Sequence, residues 1–133
     1  MPAVHVAVGV VLDAQHRILI TRRAPSAHQG GLWEFPGGKV ERGEALHKAL
    51  QRELQEELGI MIGATEPLIV IHHDYGDKQV LLDVHLVRDF AGQAQGLEGQ
   101  PLRWVTASEL TRYDFPAANA PIVDAVIARQ RAR

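Results

Sequence analysis

The sequence contains no cysteine. Disulfide bonds, zinc–thiolate centres and thiol catalysis are therefore excluded. It also lacks a surplus of positive charge: 14 Lys and Arg stand against 16 Asp and Glu, a net charge of -2. Proteins that grip a nucleic-acid backbone carry a basic excess or a basic stripe. A nucleic-acid polymer is thus not the expected partner, whereas a small anionic ligand needs only a few local residues. No apolar run approaches the ~20 residues that span a bilayer. The N-terminal MPAVHVAVGVVLD has no charged segment ahead of its apolar stretch, as a secretory signal would. The expectation is a cytoplasmic protein with no membrane partner. No repeat or low-complexity tract interrupts the 133 residues, a length that suits one domain over 1–133.

What is present reads as alternating strands and helices. Val4, Val6, Val8 and Val10 recur at every second position, which predicts a strand over 4–11. Asp13 to His16 is polar and predicts a turn, and Ile18 to Thr21 a second strand in a hairpin with the first. Residues 24–38 carry Pro25, Gly30, Gly31, Pro36, Gly37 and Gly38 and form a loop with a short extended piece, Leu32 to Phe35. Glu44 to Leu58 has neither Pro nor Gly; Leu46, Leu50, Leu54 and Leu58 make one apolar stripe on a helix. Gly59 suits its left-handed cap. Leu68–His73 and Val80–Val87 read as strands joined through Tyr75, Gly76 and Asp77, and Arg103–Val105 as a short strand. Thr106 and Glu109 have capping-box spacing. Pro121 to Arg129 closes the chain with an amphipathic helix. The order predicts an α/β domain with a mixed sheet.

The central helix carries the chemistry. Glu53, Glu56 and Glu57 stand at i, i+3 and i+4, so they share a face, centred roughly 80° from the leucine stripe at about 100° per residue. Carboxylates this close repel one another. Hard divalent cations offset such repulsion, and magnesium takes carboxylates together with substrate phosphates and water. Arg52, four residues before Glu56, compensates partly and is placed to orient that acid. Taken alone, the acids also fit a solvated face. The wider spacing decides between the two: Gly38, five residues, Glu44, seven residues, Arg52-Glu53-Leu54, one residue, Glu56-Glu57, one residue, Gly59-Ile60.

That segment, GKVERGEALHKALQRELQEELGI, matches the Nudix box at every defining position, and the chain resembles a Nudix hydrolase. The resemblance implies an α/β/α sandwich in which the box forms a loop–helix–loop. It implies that glutamates bind a divalent metal, Mg2+ with Mn2+ as substitute, and that water attacks a phosphorus of a nucleoside diphosphate derivative. On this basis Glu53, Glu56 and Glu57 are metal ligands, Glu57 the firmest, with the Gly37 carbonyl a further ligand. Glu53 is the first choice as general base, and Glu44 supports the loop and helix start. Metal ions neutralise the phosphate oxygens and lower the pKa of bound water, and the rest is positioning.

The segments VAVGVVLD, ITRRAPSAH, EFPGGKVERGE, RELQEELGI, EGQPLRW and DFPAANAP look like the MutT branch of that family. This likeness implies hydrolysis of 8-oxo-dGTP, a small-molecule nucleoside triphosphate, to 8-oxo-dGMP and pyrophosphate, which clears the nucleotide pool of a mutagen. It makes Asn119 the reader of the base and places Phe35 in the purine pocket. Arg23 and His28 become substrate contacts, with Glu34, Pro36, Gly37, Gly38 and Lys39 lining the site. Glu98 becomes an additional metal ligand or an alternative base, and Asp77 sits on a covering loop. Asn119 also fits an N-cap, Phe35 a core residue, His28 an exposed loop residue and Glu98 a solvated one. Trp33 and Trp104 read as packing residues. His72 and His73 are adjacent on a strand and face opposite ways. Asp83 and His85 stand where this branch would carry bulkier aromatics, as a departure in pocket shape. Two rivals stand beside this reading: a Nudix enzyme for other nucleotides, such as undamaged dNTPs, dinucleoside polyphosphates or nucleotide sugars, and a nucleotide-sensing module without turnover.

Overall fold

Valine at every second position forms strand β1 (Val4–Val11) in the computed structural model, which describes residues 3–26 and 30–131. There follow β2 (Ile18–Arg22), β3 (Trp33–Glu34), β4 (Gly37–Lys39), α1 (Leu46–Leu58), β5 (Met61–Ile62), β6 (Thr65–Asp74), β7 (Gln79–Val87), β8 (Phe90–Ala91), β9 (Leu102–Val105) and α2 (Ala120–Arg131). Short 3-10 turns cover Ala107–Arg112 and Ala117–Asn119. Glu109 Oε1 accepts the Thr106 N–H at 2.8 Å, as the capping spacing anticipates.

The main sheet has the order β4-β1-β7-β6 and is mixed. β1 runs parallel to β7 along its whole length, and the other pairs are antiparallel. The expected hairpin of the first two strands does not form. β2 belongs to a separate sheet, β3-β2-β9, and the two strands are linked by the Leu12–Ile18 bridge and the Asp13 N–H to Arg17 carbonyl bond at 3.0 Å rather than by a ladder. Asp13 bends the chain there: its Oδ1 accepts the N–H groups of Gln15 at 3.0 Å and Arg17 at 2.8 Å. β1 is thereby free to make its longer ladder with β7.

Strand parity sorts the core into two clusters. Val8, Val10, Val84 and Leu86 pack toward Ile122 and Val126 of α2. Ala7, Val11 and Val87 pack on the opposite face against Leu50, Leu54 and Leu58 of α1. The result is the expected α/β/α sandwich. α1 begins at Leu46, two residues later than the pattern suggested, because Glu44 is drawn into other bonds. It ends where Gly59 adopts φ 72° and returns its N–H to the Gln55 carbonyl at 3.0 Å, a conformation that glycine reaches without a Cβ clash. Leu54 and Leu58 are fully buried, each stabilising the fold by about 1.5–3 kcal/mol. They anchor the helix and so fix the azimuth of its acidic face. Among the described residues no helix is long and apolar enough to cross a membrane.

Candidate active site

A cavity of about 540 Å³ opens on the α2 side of the main sheet, within the range of about 300–1,000 Å³ that suits small ligands. Its floor is apolar: Val4, Val6 and Val8 from β1, with Val80 and Leu82 from the parallel neighbour β7. Phe35 closes one side, 4% exposed and stacked on Phe115 with centroids 5.2 Å apart. Arg23 and Glu34 stand beside it, joined at 2.7 Å, and burial pushes the Glu34 carboxyl up against the opposing charge of Arg23. Gly37, Gly38 and Lys39 form the next wall, and Tyr75, Asp77 and Lys78 reach over from the β6–β7 turn. Asn119 and Pro116 complete the lining.

Behind the Gly37–Gly38 wall lies the acidic face of α1. A Cβ at Gly38 would stand 2.3 Å from the Glu53 carboxylate carbon, and one at Gly37 would stand 2.0 Å from the Ala7 carbonyl oxygen. Only glycines let the wall press against both the helix and β1. The same short turn is thus one side of the cavity and the seat of Glu53.

Arg52 organises this face. Its Nε and Nη2 each donate to Glu44 at 2.9 Å, Nη1 donates to Glu53 Oε1 at 2.8 Å, and Nη2 also reaches the Lys39 carbonyl at 3.1 Å. The hydrogen bonds from Arg52 hold the Glu44 carboxyl down at about 2. Glu56 is 3.9 Å from the guanidinium and 59% exposed. Arg52 therefore orients Glu53 rather than Glu56, contrary to the i, i+4 reading, because Glu44 at the helix start draws the guanidinium the other way.

Glu57 points inward. Burial, followed by the charges of Glu53, Glu98 and Glu34, pushes its carboxyl up to about 9. Its Oε2 is buried without any hydrogen-bond partner. A buried carboxylate oxygen facing three other acids is a set of hard oxygen donors short of a cation, so the residues fit a divalent metal. In this arrangement no three carboxylate or imidazole groups among the described residues converge at ligand spacing. Glu56 and Glu98 are exposed. Gly37 lies on the cavity wall.

The structure brings many of the expected positions to one cavity. Arg23, Glu34, Phe35, Gly37, Gly38, Lys39, Asp77 and Asn119 all line the cavity. Pro36 does not; its carbonyl accepts the Gly9 N–H at 2.8 Å and ties the wall to β1. His28 lies outside the described residues. The charges of Glu53 and Glu98 act on Glu57, while Glu56 is exposed. Phe35 is both core and cavity wall. Asn119 closes a 3-10 turn that runs straight into α2, whereas an N-cap residue takes non-helical dihedrals. Asp83 and His85 do not shape the pocket. Parity turns them to the other face of β7, where Asp83 meets His5 at 3.2 Å and His85 meets Thr65 at 2.9 Å. Sequence reasoning missed the floor and Tyr75, Lys78 and Pro116. The alternating valines carried the signal for the floor, but which face of β1 looks into a cavity depends on its neighbours.

Comparisons with known proteins place this geometry. A model of the NUDIX domain matches residues 7–125. The chain is similar to the 8-oxo-dGTP diphosphatase of Escherichia coli K12, at 39% identity over 92% of this chain and 95% of that one. It is also similar to the CTP pyrophosphohydrolase of the same organism, at 36% identity over 95% of this chain and 93% of that one. A solved MutT structure, from work on the Aliivibrio salmonicida and Vibrio cholerae proteins, superposes with a TM-score of 0.85 at 40% identity, covering 96% of this chain and 99% of the other. The matched span holds most of β1, the glycine wall, the acid helix and Asn119, and so the chain belongs to the Nudix hydrolase family.

Proposed function

We propose that this chain hydrolyses 8-oxo-dGTP to 8-oxo-dGMP and pyrophosphate in the presence of Mg2+, with Mn2+ as a substitute, and thereby clears a mutagenic nucleotide in the cytoplasm before replication. The observation that carries the reading is the shared Gly37–Gly38 turn. It sets an apolar cavity ending at Asn119 on one side and the acids of α1 on the other. A nucleotide laid across it has its base among Phe35, Val6 and Leu82, and its phosphates near Lys39 and the glutamates.

Glu53, Glu56, Glu57 and Glu98, with the Gly37 carbonyl, would hold the metal. When bound, the metal neutralises phosphate oxygens and lowers the pKa of water. Glu53, its orientation fixed by Arg52, takes the proton from the attacking water, and Glu98 is the alternative base. Addition of water across the P–O–P bridge leaves a monophosphate, pyrophosphate and one proton. Asn119 supplies selectivity. 8-Oxoguanine presents a donor at N7 and an acceptor at O6, so one carboxamide can accept from the first and donate to the second. Guanine has an acceptor at N7 and leaves half of that pair unmet, and sites built on such bonds can discriminate by about 10⁴. Arg23 braces Glu34 at the edge of the base pocket, and Asp77 and Lys78 lie over it.

A second reading rests on the likeness to a CTP pyrophosphohydrolase, since a carboxamide can also pair with the cytosine edge. Initial rates with 8-oxo-dGTP, dGTP, CTP and dCTP in Mg2+, with monophosphate and pyrophosphate resolved, separate the two. The expected result is a kcat/KM for 8-oxo-dGTP well above the other three. Equal or higher values for CTP would transfer the assignment to the pyrimidine nucleotide, and equal values for dGTP would remove the role given to Asn119.

A further inference from the structure

Between β8 and β9 the chain passes the C-terminal end of α1 as a loop that carries Glu98. A helix leaves its last carbonyls without partners, and here the loop supplies donors to them. Gln95 N–H donates to the Leu58 carbonyl at 3.0 Å, and Leu97 N–H donates to the Glu57 carbonyl at 3.1 Å. Gln100 adds a third bond: its Nε2 donates to the same Glu57 carbonyl at 2.9 Å. The other end of that carboxamide, Oε1, accepts the N–H of Glu98 at 2.8 Å. One half-buried side chain therefore spans the backbones of two of the acids.

The loop is closed tightly on this residue. A Cβ at Gly96 would stand 2.2 Å from the Gln100 carbonyl oxygen. Leu97 lies against Gly59, its Cδ1 3.3 Å from where a Cβ would be, which pins the loop to the helix cap. Glu98 itself is exposed, yet its charge is felt by both Glu57 and Glu34. Where that charge acts depends on how the Glu98 backbone is held, and Gln100 holds it.

We propose that Gln100 is a positioning residue, whose carboxamide clamps the Glu98 backbone to the end of the acid helix and so sets where the Glu98 carboxylate meets the metal and the reacting phosphate. The inference rests on the assignment of Glu98 to the reaction. Gln100 acts through the Glu98 backbone, since the Glu57 carbonyl keeps the Leu97 N–H as a donor when the carboxamide is removed. A plain helix-capping role would lower stability without altering how Glu98 works, and the two are separable.

The test is a double-mutant cycle with Gln100→Ala and Glu98→Gln, read by kcat and KM for 8-oxo-dGTP and by Mn2+ affinity from titration of the folded, substrate-free protein. Residues that orient ligands are worth about 10- to 100-fold in activity or metal affinity. Gln100→Ala should lower kcat and weaken Mn2+ binding by about tenfold, with little change in KM. In the Glu98→Gln background it should have no further effect on either quantity, because the residue it serves is gone. Gln100→Met, which keeps the volume and removes both hydrogen bonds, should reproduce the result if the alanine variant folds poorly. Losses that multiply in the double mutant, or a Gln100→Met protein with wild-type kcat and Mn2+ affinity, would overturn the proposal. Lack of turnover by the unmodified protein would instead count against the assigned activity, and the Mn2+ cycle would still decide the role of Gln100.

Discussion

Glu57 offers the sharpest test of the acidic site, because the structure makes it a source of instability when no cation is bound. Its carboxyl is pushed from the ordinary 4.5 up to about 9, first by burial and then by Glu53, Glu98 and Glu34. The folded chain therefore holds a proton at Glu57 that the unfolded chain has released. Stability contributed by this group is full below about pH 4.5 and is lost as pH rises toward 9. At pH 7 the gap between the ordinary value and pH is about 2.5 units, which at ~1.36 kcal/mol each amounts to a ceiling of roughly 3 kcal/mol. A glutamine at this position has nearly the same shape and never ionises, so it escapes the loss. In EDTA at pH 7, Glu57→Gln should be more stable than the unmodified protein by up to about 3 kcal/mol, or about 10 °C in Tm for a chain of this size. The gap should widen at pH 9 and close at pH 4.5. Mg2+ should then reverse the order: the unmodified protein gains stability by binding, the variant gains little, and its turnover is lost. Urea and thermal melts at the three pH values, with and without Mg2+, supply the measurement. A variant no more stable than its parent at pH 9 in EDTA, or one that Mg2+ stabilises equally, would refute the account of Glu57 as a buried acid that holds its proton until a cation replaces it.

Gly38→Ala would press a methyl into the Glu53 carboxylate and should reduce kcat by about 100-fold, the scale of a small misplacement of catalytic groups, while circular dichroism shows the fold retained. Arg52→Gln removes the partner that holds Glu44 at about 2. That depressed value gives stability present above about pH 4.5 and lost as pH falls through 2, so acid titration of the variant should show a flatter loss than the parent. Asn119→Ala should keep hydrolysis but bring the 8-oxo-dGTP/dGTP selectivity toward unity in competition assays; unchanged selectivity would remove the residue from base reading.

Much of the machinery is local and therefore written in the chain. The spacing of Glu53, Glu56 and Glu57 places them on one face of any helix they form, and the leucines at intervals of four decide which face is buried. The glycine pair before the helix and the alternating valines of β1 follow from backbone geometry in the same way. What the sequence alone could not decide involves partners far apart along it. Val4, Val6 and Val8 became the floor of a cavity because β1 pairs in parallel with β7 rather than folding back on β2. Asp83 and His85 left the pocket through the register of that same pairing. Glu98 reached Glu57, 41 positions away in the sequence, only because the helix end had carbonyls to satisfy and the loop had donors to offer. Periodicity fixes the direction of a side chain on its own element; the packing of distant elements fixes what stands opposite it.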